Sequence, residues 1–228
     1  IKKFVILSIF SIALFLRIYH LGYHDFWYDE VFTISNADIP KHLLIKKPLF
    51  YLHPYRVFIS QWVKLFSISE FNLRLPSMIF NFFSVILIFL LGKDLFNYKV
   101  GLFSALIMGL SPFHLWYAQE ARNYSMSLFL GLFSSYFFFK AIDKKRFKFW
   151  LLFILTSNFA IYINHFFILL LCAQFLYILI FLEKFKTNFK SIIPFLIIGL
   201  FSIFHCTPFF KRIVYIWNGF WIPVPTFK

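Results

Sequence analysis

Long apolar runs separated by short charged interruptions dominate this chain, and the runs have the length of membrane spans. A helix crossing about 30 Å of hydrocarbon needs roughly 20 mostly apolar residues, with about 17 as the lower limit. Residues 4–19 meet this requirement if Arg17 snorkels to the surface. Residues 75–92, 100–117 and 123–139 each predict one crossing. Residues 149–182 carry no charge but are too long for one helix, and the polar break Tyr162-Ile-Asn-His165 divides them into two spans. Residues 191–210 add another, with Pro194 and Pro208 near its ends. The pattern predicts an all-α membrane protein, a polytopic bundle of about seven transmembrane helices. Residues 20–74 form a long first loop, whose amphipathic stretch 57–66 predicts a helix lying along the membrane surface. No small-residue cleavage motif follows the first run, so it reads as a span and not as a signal peptide. No linker or low-complexity tract divides residues 1–228, which predicts a single domain.

Composition excludes a soluble domain: 61% of residues are hydrophobic and only 14% are charged. The 38 phenylalanines, with abundant Ile and Lys, are what AT-rich codons would give and point to no aromatic-specific function. Cys172 and Cys206 sit in separate apolar runs and read as packing residues. With the N-terminus inside, the cytoplasmic pieces carry Lys2, Lys3, Lys93, Lys99, Lys140, Lys144, Lys145, Arg146, Lys148, Lys184, Lys186 and Lys190. In the two short outer turns the only basic residue is Arg122, so the positive-inside rule selects this orientation. The net charge of +14 is then explained by topogenesis and anionic lipid, and no nucleic-acid partner is needed. Asp25, Asp29, Glu30, Asp38, Glu70 and Glu120 all fall on the outer side.

Adjacent carboxylates at Asp29 and Glu30, framed by Trp27, Tyr28 and Phe32, stand just beyond the first span. Each raises the cost of ionising the other and each resists burial, which suggests a site at the membrane–water interface. A solvated loop inside an aromatic belt is the plainer reading. The second outer turn, Ser111-Pro-Phe-His-Leu-Trp-Tyr-Ala-Gln-Glu-Ala-Arg-Asn-Tyr124, brings Glu120, Arg122 and Tyr124 to the end of one span and the start of the next. Glu and Arg two residues apart do not face each other on a helix and should engage different partners. Arg offers a planar fork of donors to a phosphate, while Glu can orient a hydroxyl, a metal or a base. The alternative is an interhelical ion pair, such as Glu120 with Arg74 or Arg122 with Glu30. His20, His24, His53 and His114 match no compact ligand spacing, and Glu120 with Asp29 or Glu30 remains a candidate divalent-cation pair. Asn158, Asn164 and His165 read as helix caps or linkers, and Trp116, Tyr117, Trp217 and Trp221 as interfacial anchors.

The segments Leu16-Arg-Ile-Tyr-His-Leu-Gly22, Phe26-Trp-Tyr-Asp-Glu-Val-Phe-Thr33, Glu70-Phe-Asn-Leu-Arg-Leu-Pro-Ser77, Leu91-Gly-Lys-Asp-Leu-Phe96 and Val100-Gly-Leu-Phe-Ser-Ala105 precede that turn in order. Together they resemble the dolichyl-phosphate-mannose–protein mannosyltransferase-like family, polytopic glycosyltransferases of the GT-C fold. The resemblance covers roughly residues 14–130, and Phe220-Trp-Ile-Pro-Val-Pro225 is similar to a later outer-loop segment of members. Members are longer, which implies that these residues are an N-terminal portion of a larger chain. The resemblance implies transfer of a sugar from a polyprenyl-phosphate carrier to a protein, lipid or glycan acceptor. The reaction would take place on the non-cytoplasmic face of the plasma (inner) membrane. It implies Asp29 as catalytic base with Glu30 beside it, and Glu120, Arg122 and Tyr124 in a second active-site loop. Where members carry a His-Pro-Pro-Leu-Tyr-Tyr-like stretch, this chain has Pro48-Leu-Phe-Tyr51 and then His53-Pro-Tyr55, which makes His53 a candidate donor-binding residue.

The chemistry suits these residues without the family. A sugar linked through phosphate to lipid is an activated donor whose departure needs cations on the developing charge, for which Arg122, Arg74 and Lys47 are candidates. A carboxylate at Asp29 supplies the base, and direct displacement inverts the anomeric centre. A lipid or glycan flippase, or an inactive truncated membrane subunit, are the competing classes; the charges cluster at one face and not at midplane, which disfavours the first.

Overall fold

The computed structural model describes residues 2–35, 54–181 and 189–203, and the regular elements among them are all helical. They are α1 (Lys2–Ile18), α2 (Tyr28–Ser35), α3 (Pro54–Leu65), α4 (Glu70–Leu95), α5 (Tyr98–Leu110), α6 (Pro112–Ala118), α7 (Tyr124–Lys144), α8 (Phe147–Ile163) and α9 (Phe167–Phe181). A short 3₁₀ turn then leads into α10 (Ile193–Ile203). Helices α4 and α7 are long and apolar enough to cross a membrane, and α5 with α6 makes a third candidate, bent by 62°. The others are shorter, so a helical membrane protein is what the structure supports and the count of seven spans goes beyond it. The expected break in residues 149–182 is present: Asn164 lies between α8 and α9, and its side chain accepts from Phe166 N at 3.1 Å. Lys47, His53, Cys206, Trp217, Trp221 and the Pro48 and Phe220 segments lie outside the described residues.

Local chemistry sets the helix starts. Ser69 caps α4 by accepting from Asn72 N at 3.2 Å, and Asn97 caps α5 by accepting from Lys99 N and Val100 N. Between them α4 and α5 approach backbone to backbone at Gly92 and Gly101. A Cβ at Gly101 would lie 2.6 Å from the Phe89 carbonyl oxygen, and one at Gly92 would lie 2.9 Å from Gly101 Cα. Small residues permit this close helix contact where no water-driven force is available.

Two prolines shape one end of the bundle. Pro76 lies inside α4 and has no N–H, so the carbonyl four residues back, Asn72, loses its helical donor. The Trp62 indole of α3 replaces it, donating to Asn72 O at 2.8 Å. Pro112 does the same to Met108 at the α5–α6 bend, and there the replacement is Arg17. Its guanidinium donates to Met108 O (3.3 Å), Gly109 O (3.0 Å), Ala13 O (2.9 Å) and Asn81 Oδ1 (2.8 Å). Arg17 therefore does not snorkel. It is 0% exposed, because the bend supplies the carbonyls that a solvent shell would otherwise provide. Gln119 returns the favour, donating to the carbonyls of Leu16, Arg17 and Tyr19 at the end of α1. Each broken helix end is capped by the other.

Phe138 and Phe153 centre one apolar cluster between α7 and α8, and Ala13, Val85 and Ala105 centre another between α1, α4 and α5. At one end of the bundle Lys140 pairs with Asp94 at 2.8 Å, and Tyr98 donates to Lys2 O at 2.7 Å. The opposite end gathers α2, the start of α4 and the α6–α7 turn around the adjacent acids.

Candidate active site

Helix α2 begins without a Ser, Thr, Asn or Asp at its N-cap, which is Trp27. Glu30, the third helical residue, folds back instead and accepts from Trp27 N at 3.3 Å, half of a capping box. The same carboxylate receives Arg74 Nε at 2.9 Å on Oε1, Arg74 Nη2 at 2.7 Å on Oε2, and Ala121 N at 2.7 Å on Oε1. Arg74 also donates to the carbonyls of Leu21 (3.3 Å), His24 (2.8 Å) and Asp25 (3.1 Å), so every N–H of its guanidinium is engaged within the protein. Glu30 is 1% exposed. This buried pair ties the first loop, the start of α4 and the α6–α7 turn together.

Asp29 has a different setting. About 100° separates consecutive residues around a helix, so the side chain beside Glu30 points elsewhere. It is 42% exposed, and Arg122 Nη2 approaches its Oδ2 only to 3.6 Å, while Arg122 Nη1 donates to the Asp29 backbone carbonyl at 3.2 Å. The pairs considered from sequence, Glu120 with Arg74 and Arg122 with Glu30, are thus replaced by Glu30 with Arg74 and Asp29 with Arg122.

Three of the four residues from Gln119 to Arg122 reach separate targets, Arg122 meeting Asp29. Gln119 caps α1, and Ala121 gives its N–H to Glu30. Glu120 is buried, and its Oε2 has no hydrogen-bond partner among the described residues. Burial pushes its carboxyl above the usual carboxylate range, against the opposing pull of Arg122. Arg122 lies over the Tyr124 ring, 5.5 Å from its centroid, with Nη2 3.4 Å from the phenol oxygen. Its Nε finds no partner among the described residues. Ser77, just after Pro76, donates to the Arg122 carbonyl at 3.2 Å and holds the turn against α4.

Two cavities flank this turn. One of about 410 Å³ is lined by Trp27, Glu30, Arg74, Trp116, Gln119 and Glu120, with His20, His24 and Asp25. The other, of about 190 Å³, is lined by Phe32, Thr33, Tyr55, Arg56, Arg122 and Asn123. Asp29 stands between them, next in sequence to a residue of the first and paired with a residue of the second. Among the described residues no three His, Cys, Asp or Glu side chains come together as a metal-binding group. His20 instead stacks between Tyr19 and Tyr23, at 4.0 Å and 4.7 Å.

Arg17, Gln119, Tyr55 and Arg56 were not legible as site-building residues. For Arg17 the signal was present, since Pro112 must orphan a carbonyl and a buried guanidinium is a fit donor. Tyr55 and Arg56 lie just before the stretch that reads as amphipathic, and no local pattern marks them.

The family model for dolichyl-phosphate-mannose-protein mannosyltransferase matches residues 48–210, which takes in Arg74, Glu120, Arg122 and Tyr124 and begins after Asp29 and Glu30. No curated protein and no solved structure matches the chain. The matched stretch is well over half of the 228 residues and contains the turn that supports the adjacent acids; the chain belongs to the dolichyl-phosphate-mannose-protein mannosyltransferase family.

Proposed function

We propose that this protein transfers a sugar from a polyprenyl-phosphate carrier to an acceptor hydroxyl, with Asp29 as the general base. Membership of a membrane glycosyltransferase family supports the reaction class. The observation that carries the assignment of the base is the unequal treatment of two neighbouring acids: Glu30 is buried and saturated, whereas Asp29 is 42% exposed and loosely paired. A base must reach a substrate proton, and only Asp29 of the pair has oxygens available for one.

In the reaction, Asp29 takes the proton of the acceptor hydroxyl as its oxygen attacks the anomeric carbon. The bond from that carbon to the phosphate oxygen breaks, and its electron pair leaves with the phosphate. Attack from the face opposite the leaving group inverts the anomeric centre. Arg122 stabilises the charge gathering on the departing phosphate. Glu30 and Arg74 act as positioning residues, since they set α2 and therefore Asp29. The larger cavity, with Trp27 and Trp116 for the ring faces and Gln119 and Glu120 for hydroxyls, suits a sugar. The site lies at the end of the bundle opposite Lys2, Lys93, Lys140 and Lys144, which supports a non-cytoplasmic active site in the plasma membrane under the positive-inside rule. The full set of about seven spans fits the same orientation.

The test is turnover of labelled polyprenyl-phosphate sugars by membranes carrying the full-length protein, with wild type beside Asp29→Asn at equal abundance. Loss of transfer in the Asn variant supports the assignment, and equal turnover in both refutes it.

A further inference from the structure

Helix α4 presents the polar side chains of Arg74, Ser77 and Asn81 along one face, at helical spacings of three and four residues. The first holds Glu30, and the second holds the Arg122 carbonyl. Asn81, one turn deeper, is 0% exposed and joins α4 to α1, α6 and α7. Its Oδ1 accepts from Arg17 Nε of α1 at 2.8 Å. Its Nδ2 donates to the His114 carbonyl of α6 at 3.0 Å and to Ser125 Oγ of α7 at 3.3 Å. Ser125 Oγ donates in turn to the Tyr117 carbonyl at 2.7 Å, one of the last carbonyls of α6, which lack donors within that seven-residue helix. These partners fix the orientation of the amide. Arg17 Nε can only donate and the His114 carbonyl can only accept, so the oxygen faces one and the nitrogen the other.

We infer that Asn81 is a positioning residue for sugar transfer, acting through the α6–α7 turn. This rests on the glycosyl-transfer reading for the reaction that the turn serves. Asn81 grips both roots of the turn, His114 and, through Ser125, Tyr117 before it, and Ser125 after it. The turn itself brings Arg122 to Asp29, Glu120 to the larger cavity and Ala121 N to Glu30 at 2.7 Å. Those contacts meet only while the ends of α6 and α7 keep their spacing, which the shared amide sets. An amide suits the place because one planar group carries both an acceptor for Arg17 and donors for the turn. Aspartate would keep the shape and the Arg17 contact but would turn a second acceptor on the His114 carbonyl. Alanine would leave Arg17 Nε and that carbonyl without this partner. A displacement of about 1 Å caused far from the chemistry can cost roughly a hundredfold in rate, so an amide that touches no substrate can still govern turnover.

The experiment compares the full-length protein in nanodiscs as wild type, Asn81→Asp, Asn81→Ala, Ser125→Ala and, as a destabilised control away from the turn, Gly101→Ala. Thermal unfolding ranks the stabilities and identifies any variant that fails to fold. Asn81→Asp keeps its Arg17 contact and Ser125→Ala removes one hydroxyl, so the series does not depend on Asn81→Ala. Backbone hydrogen exchange reads the segment 119–123, where Glu30 holds Ala121 N, without needing turnover. Turnover is measured with labelled polyprenyl-phosphate sugars. Asn81→Asp and Asn81→Ala should lose protection in 119–123 and lose kcat by roughly ten- to a hundredfold, with KM for the donor moving less. Ser125→Ala should fall between them and wild type. Gly101→Ala should keep both protection and kcat per folded molecule although its stability drops. Wild-type exchange of 119–123 in Asn81→Asp overturns the inference whatever the rate, and so does an equal loss in Gly101→Ala. Lost protection with undiminished kcat overturns the positioning role and leaves the transferase reading standing. Asn81-dependent protection with no transfer by wild type upholds Asn81's grip on the turn and overturns the transferase reading instead.

Discussion

Replacing Glu30 and Asp29 separately should produce opposite phenotypes, although the residues are neighbours. Glu30→Gln keeps the shape of the side chain but removes the charge facing Arg74, whose guanidinium is 6% exposed and has no other acid within pairing distance among the described residues. Breaking one half of a buried ion pair costs about 3–5 kcal/mol, chiefly because the remaining charge is left in a dry setting. Arg74→Met should cost a similar amount for the converse reason. The double replacement Glu30→Met with Arg74→Met should be less damaging than the sum of the singles, by about 2–3 kcal/mol. It will not return to wild-type stability, because Ala121 N and Trp27 N lose an acceptor and the Leu21, His24 and Asp25 carbonyls lose a donor, at about 1–3 kcal/mol for each group left unsatisfied. Asp29→Asn breaks only a half-exposed contact at 3.6 Å and should change stability by about 0.2–1 kcal/mol. Its turnover should nevertheless fall by about 10²–10⁴-fold. Unfolding in detergent, followed by tryptophan fluorescence, gives the stabilities, and transfer from labelled donor gives the rates. A Glu30→Gln variant of wild-type stability with no turnover would refute the division of labour, since Glu30 would then be acting in the chemistry.

Three further outcomes can be measured on the same protein. Glu120→Gln should raise thermal stability at neutral pH relative to wild type while impairing transfer. The folded-state carboxyl titrates above its unfolded value, so wild type loses stability as pH rises through that window, and the difference from the variant should close in acid; a pH-independent difference would discount burial of the charge as its cause. Gly101→Ala should destabilise by about 1–3 kcal/mol because its Cβ meets the Phe89 carbonyl, whereas Gly199→Ala, inside α10 with nothing within 4 Å, should stabilise by about 0.5–1 kcal/mol in the same unfolding assay. Arg17→Lys should not restore the stability lost in Arg17→Met, because one ammonium cannot reproduce the planar fork that spans Asn81, Met108 and Gly109; rescue by Lys in thermal melts would show that charge alone matters there.

Local pattern carried most of the helices and little of the site. The break at Asn164, the long α4 and α7 and the amphipathic α3 all follow from apolar run length and polar interruption. Of the expectation that Glu120 and Arg122 engage different partners, the structure shows one half: Arg122 meets Asp29, while Glu120 Oε2 has no hydrogen-bond partner among the described residues. The identity of those partners did not follow. Glu30 meets Arg74 across 44 residues, and Arg122 meets the Asp29 carbonyl across 93, distances over which periodicity carries no information. The division between Asp29 and Glu30 depends on which way one turn of α2 faces, which is set by Glu30 closing back on Trp27 N. Arg17 departs from the default for a cation near a span end, the interface, because the bend at Pro112 creates a better place for it.

That buried arginine also imposes an order on the making of the protein. Arg17 leaves the ribosome long before Asn81, Met108 and Gly109, the groups that will hold it, have been synthesised. Until they arrive, α1 carries a cation whose hydrogen bonds must come from water or lipid headgroups, so it should rest with Arg17 drawn towards the nearer surface. Its final depth is set only when the α5–α6 bend is inserted, and Gln119 then closes over its end. A helix made before the groups that hold it is thus among the last to settle, and the two adjacent acids that follow it are aligned only at that late step.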